Sequence, residues 1–216
     1  MKQSSYITLK PSAGQEDALA AFLKQGAQIV QKTEPETLLW AALQSFDLNH
    51  CAIFDTFPNE SAREAHFAGK VAAALNENAS TLIEGWWDDG VVPNIHNAKI
   101  VGSKVSAVEG NVRLATWIPL RAKEGRGQDL VDLLAIGAKV VTDTEPQTLY
   151  WFGLQIDEWE FGIIDFFADQ VGIDAHFAGA AAAALQENAE DLIVGGWRQG
   201  VLAGIQQFNV LAFMKR

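Results

Sequence analysis

Apolar residues recur at intervals of three and four over residues 14–32, which predicts a helix that packs through one face. The apolar positions of this stripe are Leu19, Phe22, Leu23, Gly26, Ala27 and Val30. Alternating apolar residues predict a short strand before the helix at residues 5–10, and two more strands after it at 37–45 and 50–57. The chain therefore begins with a strand, a helix and a pair of strands.

The next segment predicts a second helix, a turn and a last strand. Asn59 or Ser61 is suited to the N-cap of a helix that runs to Leu75. A short helical turn at residues 80–84 and a glycine-bounded turn at 85–90 lead into a strand at 94–105. The predicted order is βαββαβ, which is the ferredoxin-like split unit, with both helices on one side of an antiparallel sheet.

The second half of the chain repeats the first. Residues 55–90 and 165–200 are identical at 19 of 36 positions when they are aligned at a shift of 110. Upstream, the tripeptide at 33–35, Thr-Glu-Pro, recurs at 144–146, where the proline is predicted to end the first helix of each copy. Asp169 is the corresponding N-cap candidate of the second copy. The sequence thus predicts two similar domains, 1–108 and 109–216.

The strand at 37–45 is apolar on both faces, and so is its counterpart in the second copy. Leu38, Trp40 and Ala42 alternate with Leu39, Ala41 and Leu43. An antiparallel sheet usually leaves one polar face to water, so both faces of this sheet must be covered. The sequence predicts an α+β protein in which two ferredoxin-like units pack their antiparallel sheets face to face as an intrachain pseudo-dimeric α/β barrel.

Composition and charge narrow the classes of function. The chain has 216 residues, 49% of them hydrophobic, and a net charge of −11 without a basic stripe, which argues against binding to nucleic acid or an anionic membrane. A single cysteine, Cys51, excludes an internal disulfide and metal-type cysteine spacing. The absence of a secretion signal and of a long apolar stretch predicts a cytoplasmic protein.

Three short successions of residues resemble a known family. Glu-Pro-X-Thr-Leu-X-Trp at 34–40, followed by Asp-Thr-Phe-Pro-Asn-Glu at 55–60 and Arg-Glu-Ala-His-Phe-Ala-Gly at 63–69, resembles the antibiotic biosynthesis monooxygenases, which are dimeric α/β barrels. The likeness extends over nearly the whole chain, twice. It implies an enzyme with a pocket between helices and sheet, which oxygenates a small apolar or aromatic phenolic molecule without flavin, haem, metal or other cofactor.

The resemblance does not extend to the haem-degrading members of the family. These carry an Asn on the first strand and a Trp where the third strand ends, whereas the corresponding stretches here are Tyr-Ile-Thr-Leu at 6–9 and Asp-Thr-Phe at 55–57. The resemblance also implies that the pseudo-dimer replaces the usual pair of chains, while further homo-oligomers stay open.

The candidate catalytic residues are a histidine and an aspartate in each copy. His66 and His176 are the histidines that recur, and each could act as a base near neutral pH or bind a phenolate. The alternative is a fold-determining histidine bonded to a backbone carbonyl. Asp55 and Asp165 could orient the rings, or could instead cap a helix or pair with an arginine, for which Arg63 is available in the first copy.

Recurring aromatic residues are the candidate substrate-binding residues, with core packing as the alternative. They are Trp40, Trp151, Phe57, Phe167, Trp87 and Trp197. Three functions stay open: a cofactor-independent monooxygenase, a non-catalytic binder of small apolar ligands, and a stress-related structural protein whose own aromatic residues fill its pockets. A pocket too small for a ring compound would favour the third.

The two copies differ beside the recurring histidine. Thr56 and Arg63 of the first copy are replaced by Phe166 and Ile173 in the second. A group that takes a proton from a phenol benefits from polar neighbours that adjust its pKa. The sequence therefore predicts that the pockets are not equivalent and that the first one is the more functional.

Overall fold

The computed structural model describes residues 1–47, 49–107 and 111–216. In each repeat the helices and strands follow the order that the sequence predicts, with one additional helix before the last strand. They are β1 (Gln3–Leu9), α1 (Glu16–Thr33), β2 (Leu39–Ser45), β3 (Cys51–Phe57), α2 (Glu60–Phe67), α3 (Lys70–Leu82), β4 (Ile95–Val105), β5 (Leu114–Arg121), α4 (Gly127–Thr144), β6 (Thr148–Gln155), β7 (Glu160–Phe167), α5 (Gln170–Phe177), α6 (Ala180–Leu192) and β8 (Gln206–Lys215). The α+β class and the ferredoxin-like order are confirmed.

The chain folds as two compact units. Unit 1 consists of Met1–Ala98 and Phe208–Arg216, and unit 2 consists of Lys99–Gln207. The sheet of unit 1 has the strand order β1-β3-β2-β8, and that of unit 2 has the order β5-β7-β6-β4, with every one of these pairs antiparallel. In each unit the helices cover a core of buried apolar side chains on one face of the sheet.

The last strand of each sequence repeat belongs to the sheet of the other repeat. Strand β8 pairs with β2, where Leu39 lies opposite Lys215, and β4 pairs with β6, where Lys104 lies opposite Trp151. The units therefore do not coincide with the predicted domains 1–108 and 109–216, and the predicted boundary itself lies outside the described residues. Because the two repeats have the same apolar pattern, the pattern alone cannot assign either terminal strand to its sheet.

A basic side chain at the end of each exchanged strand binds the C-terminus of the first helix in the unit that the strand joins. Lys104 Nζ donates to the carbonyl oxygens of Val141 and Glu145, at 3.2 and 2.5 Å. Arg216 donates to the carbonyl oxygens of Val30 and Gln31, at 3.2 and 2.6 Å. Cations are favourable at helix C-termini, where carbonyl groups lack helical partners. The two exchanges are thus anchored in equivalent ways.

The second helix of the repeat is shorter than predicted, and a third one follows it. The prediction of one helix through Leu75 is wrong, as is the predicted separate turn at 80–84, because α2 ends at Phe67 and α3 runs from Lys70 through Leu82. The predicted N-caps are confirmed: Asn59 Oδ1 accepts from Ala62 N at 2.9 Å, and Asp169 Oδ1 accepts from Gly172 N at 3.1 Å.

A carboxylate lies where the helix is interrupted. Gly69 precedes α3, and a Cβ atom on it would lie 2.7 Å from Glu34 Oε1. Glu34 Oε1 also accepts a hydrogen bond of 3.3 Å from Val71 N, an amide in the first turn of α3 that has no partner within the helix. In unit 2, Gly179 and Glu145 have the same arrangement. The glycine is required for this close approach.

None of the helices in the described part of the chain is both long enough and apolar enough to cross a membrane.

Candidate functional site

A buried histidine lies between two carboxyl groups in unit 1. His66 Nδ1 is 2.5 Å from Glu34 Oε2, and His66 Nε2 is 3.2 Å from Asp55 Oδ2. The exposed fractions are 4% for His66, 8% for Glu34 and 0% for Asp55. Thr37 Oγ1 adds a hydrogen bond of 3.4 Å to Glu34 Oε2. We call this group the His66 cluster, and water is largely excluded from it.

Three separate elements bring these side chains together. Glu34 follows α1, where Pro35 prevents the helix from continuing. Asp55 lies in β3 and accepts a hydrogen bond of 3.2 Å from Ser5 N on the neighbouring strand β1. His66 lies in the last turn of α2. The cluster therefore joins the end of one helix, the sheet and the end of a second helix.

Unit 2 repeats the arrangement as the His176 cluster. His176 Nδ1 is 2.5 Å from Glu145 Oε2, and His176 Nε2 is 3.1 Å from Asp165 Oδ2. Thr148 donates to Glu145 Oε2 at 3.2 Å, and the Thr116 hydroxyl donates to Asp165. The sequence hypothesis that each aspartate orients the recurring histidine agrees with this geometry in both units.

The carboxyl groups set the charge of both histidines. Burial on its own would lower the pKa of His66, but attraction to Asp55 and then to Glu34 outweighs it and raises the pKa to about 10. Asp165 and Glu145 raise the pKa of His176 to about 10 against the same burial effect. In turn, despite its burial, the bond and charge of His176 lower the pKa of Glu145.

A histidine with this pKa is an imidazolium at neutral pH, so it has no free lone pair with which to accept a proton. Each ring nitrogen of His66 faces a carboxyl oxygen. The geometry therefore argues against the general-base role considered for His66 and His176. It also differs from the alternative of a backbone carbonyl partner, because the partners here are carboxyl groups.

The polar neighbours predicted to favour the first pocket are not assembled around His66. Arg63 binds both carboxyl oxygens of Glu60, at 2.5 and 2.6 Å, instead of pairing with Asp55. Thr56 follows Asp55 in β3, and successive side chains of a strand point to opposite faces of the sheet. Since Asp55 points to His66, Thr56 points away from it, so neither predicted residue distinguishes this pocket.

Sequence reasoning missed Glu34 and Glu145. It explained the Thr-Glu-Pro tripeptide by the end of the helix and used Glu34 otherwise only as part of a family motif. The signal that could have identified them is that an acidic residue recurs at the same place in both copies. Most charged surface positions differ between the copies, as Lys70 and Ala180 do.

Unit 1 has a small cavity between its helices and its sheet, on which His66 borders. Its volume is about 30 Å³, which is the space of about one water molecule, whereas ligand pockets usually measure about 300–1,000 Å³. The aromatic lining residues are Phe22, Trp40, Phe67 and Trp87. Gly26 completes the wall, where a Cβ atom would lie 2.8 Å from Trp40 Cη2. The cavity as it stands is too small for a ring compound.

Unit 2 has a matching cavity of about 40 Å³ beside His176. Trp151, Phe177 and Trp197 line it, and Leu133 takes the place of the first unit's Phe22. Four of the six predicted substrate-binding residues therefore line a cavity. The other two, Phe57 and Phe167, pack against the histidine rings at centroid distances of 5.2 and 5.7 Å.

A larger cleft of about 470 Å³ opens in unit 2 beside the start of α4. Its lining includes Lys99, Gln128, Gln155 and Trp159, and none of the predicted site residues. Among the described residues, no group of three or more His, Cys, Asp or Glu side chains is arranged to hold a metal ion.

Comparison with known proteins shows which solved structures have a similar fold. No protein-family model matches the chain, and no curated protein sequence matches it. Among solved structures, a candidate monooxygenase from Fusobacterium nucleatum is similar with a TM-score of 0.81 and 13% identity, over 100% of this chain and 94% of the other. An anthrone oxidase-like protein is similar with a TM-score of 0.60 and 11% identity, over 99% and 93% of the two chains.

A third solved structure carries the family description. It is a ferredoxin-fold protein from Listeria monocytogenes related to antibiotic biosynthesis monooxygenases, with a TM-score of 0.51 and 8% identity over 97% of this chain and 95% of the other. At these identities the likeness is one of fold. The resemblance read from the sequence is confirmed at that level.

Proposed function

We propose that this chain, which has the ferredoxin-like fold of proteins related to antibiotic biosynthesis monooxygenases, is a cofactor-independent monooxygenase of a small aromatic molecule. The observation that carries the proposal is the cavity beside His66, which is lined by aromatic side chains and lies between helices and sheet. Because the cavity of about 30 Å³ cannot enclose a ring, the substrate packs its ring against the partly buried Trp87 and Phe67 at the edge of the cavity. A dry aromatic cavity favours an apolar ring over water.

The reaction relies on the substrate's own reactivity, because neither imidazolium can accept a proton. For anthrone as the probe, the reacting methylene carbon loses two hydrogens and gains one oxygen atom from O₂. The second oxygen atom leaves as water with these two hydrogens. The methylene carbon is thereby oxidised to a carbonyl and O₂ is reduced, so that atoms and electrons balance without another reductant.

The His66 cluster has a positioning role in this proposal. Its ion pairs hold the ends of α1 and α2 and strand β3 together behind the cavity. The cluster places two acidic side chains, Glu34 and Asp55, around one histidine, which disfavours an anionic ligand at this wall. The proposal therefore commits to a ligand that enters in its neutral form.

Oxygen consumption with anthrone tests the proposal. We expect the protein to accelerate O₂ uptake above the uncatalysed rate, with one O₂ consumed per anthrone oxidised. Ala72→Leu fills the cavity of unit 1 and should abolish the acceleration, while the matched Ala182→Leu in unit 2 should retain it. Thermal unfolding must show that both variants are folded. An uncatalysed rate with the unmodified protein would contradict the proposal.

A second candidate function is binding of an apolar molecule without turnover. The observation that favours it is that both ring nitrogens of His66 are engaged and no base faces the cavity from this cluster. Calorimetric binding of anthrone under nitrogen, without accelerated O₂ uptake in air, would support this candidate over the first. Absence of both would favour the structural role that the small cavity volumes suggest.

A further inference from the structure

Trp86 has a backbone conformation that tryptophan rarely adopts. Its φ is +60°, and it is the one non-glycine residue with positive φ in the described part of the chain. The Cβ atom makes this left-handed region unfavourable for all residues except glycine and, to a lesser degree, Asn and Asp. Trp86 is 66% exposed, so its burial in the fold contributes little that would offset the strain.

The equivalent turn of unit 2 uses glycine at this position. Gly196 has φ +58°, and the residues that precede Trp86 and Gly196 are both glycines with φ near +80°. Backbone hydrogen bonds close the two turns alike, from Asp89 N to Gly85 O at 3.1 Å and from Gln199 N to Gly195 O at 3.2 Å. The fold therefore requires a left-handed residue here, and it does not require an indole.

The turn contributes Trp87, but not Trp86, to the lining of the cavity of unit 1. Trp87, the residue after Trp86, lines that cavity and is only partly buried, as is Phe67 on the same cavity. A space of about 30 Å³ cannot enclose an aromatic ring, so a ring compound bound there must extend past these partly buried side chains into solvent. An exposed indole beside Trp87 can cover that part of the ligand.

We propose that Trp86 is a ligand-contact residue of unit 1, which packs its indole on the solvent side of an aromatic molecule held in the cavity. This inference rests on the proposed function, because it needs an aromatic ligand in unit 1. Strain that persists beside a binding site is often part of how that site works. Aromatic side chains contribute strongly to binding because they bury a large area with few rotatable bonds.

Trp86→Gly tests the inference, since it gives unit 1 the residue that unit 2 already has. Calorimetric titration with 1-naphthol, a small neutral aromatic phenol, measures the affinity. We expect Trp86→Gly to weaken binding about tenfold and to raise the Tm by roughly 2–4 °C, because the strained conformation is relieved. Trp86→Phe should retain most of the affinity.

The matched control is the reverse change in unit 2. Gly196→Trp should lower the Tm, both through the same backbone strain and because its Cβ atom would meet the Glu190 carboxylate, and it should leave 1-naphthol affinity unchanged. Wild-type affinity in Trp86→Gly would overturn the inference while leaving the proposed function in place. A change of molar mass by light scattering, with unchanged affinity, would overturn it as well, since Trp86 would then contact another copy of the chain. No 1-naphthol binding by the wild-type protein would contradict both proposals.

Discussion

The two units share their buried charges and differ at the outer side of their cavities. The His66 cluster and the His176 cluster each pair one histidine with one glutamate and one aspartate, and their histidine–carboxyl distances agree within 0.1 Å. By contrast, Phe22 and Trp86 of unit 1 are replaced by Leu133 and Gly196 in unit 2. A feature kept in both copies serves the fold that both need, whereas the differing rim is where the units can differ in function.

The largest expected effect acts on both clusters at once through pH. Each histidine has an ordinary pKa of 6.5 and a pKa of about 10 in the folded chain. A raised pKa stabilises the folded state fully below pH 6.5, and this contribution is lost as pH rises through about 10. We therefore expect the free energy of unfolding to fall between pH 6.5 and 10, measured by urea denaturation at a series of pH values.

A matched pair of variants separates the two clusters in this experiment. His66→Gln and His176→Gln should each remove part of the pH dependence, in similar amounts, because the two environments are alike. A free energy of unfolding that stays constant across this range in the wild-type protein would show that the histidines are not charged by their carboxyl partners.

The next effect is the loss of one imidazolium. His66→Ala leaves Glu34 and Asp55 buried without their cation, which typically costs about 3–5 kcal/mol. His176→Ala should cost a similar amount, since the His176 cluster is equally buried. Urea unfolding at pH 7 measures both. A loss below about 1 kcal/mol in either variant, or a large difference between them, would contradict the structural role assigned to the clusters.

The glycine in the first helix of each unit should give smaller changes in stability, and these changes should have opposite signs in the two units. A Cβ atom on Gly26 would lie 2.8 Å from Trp40, whereas one on Gly137 would lie 3.7 Å from Trp151. Gly26→Ala should therefore destabilise unit 1 by about 1–3 kcal/mol through overpacking, less the helix propensity gained. Gly137→Ala has room and should stabilise by about 0.5–1 kcal/mol. Equal effects on Tm would mean that the two helices approach their sheets equally closely.

The local signals in the sequence predicted much of this fold. The periodicity of apolar residues predicted the bounds of α1 and β3 to within two residues. Asn59 and Asp169 are the N-caps of α2 and α5, as their side chains predicted. The pairing of His66 with Asp55 was one of the readings considered. These features depend on residues near one another in the chain or on a pattern repeated twice.

The features that were not predicted depend on contacts between distant segments. Glu34 reaches both His66 and the first turn of α3, and that contact interrupts a stretch which periodicity alone reads as one helix. The exchange of β4 and β8 depends on which of two equivalent strand edges each one meets. Neither the interruption of the helix nor the exchange of the strands can be predicted from local sequence. The periodic pattern of apolar residues would be the same with or without them.

The smallest expected effect concerns Arg63, the residue that most clearly distinguished the copies in sequence. Its guanidinium is 13% exposed, pairs with the half-exposed Glu60 and donates to the Ser4 carbonyl oxygen at 3.4 Å. Water screens the Glu60 carboxylate, so this pair contributes little to stability. Arg63→Ile, which introduces the residue of unit 2, should change the free energy of unfolding by about 1 kcal/mol or less and leave 1-naphthol affinity unchanged.

The reverse substitution shows why the two positions are not interchangeable. Ile173 is 1% exposed, and Gln170 stands where unit 1 has Glu60, so Ile173→Arg buries a cation without that carboxylate and should cost about 2 kcal/mol or more. A tenfold loss of 1-naphthol affinity in Arg63→Ile would instead show that Arg63 contributes to ligand binding. It would contradict the inference that the functional difference between the units lies at Trp86. The comparison of the two variants therefore decides which of the differences between the units concerns the ligand and which concerns only the packing of α2 and α5.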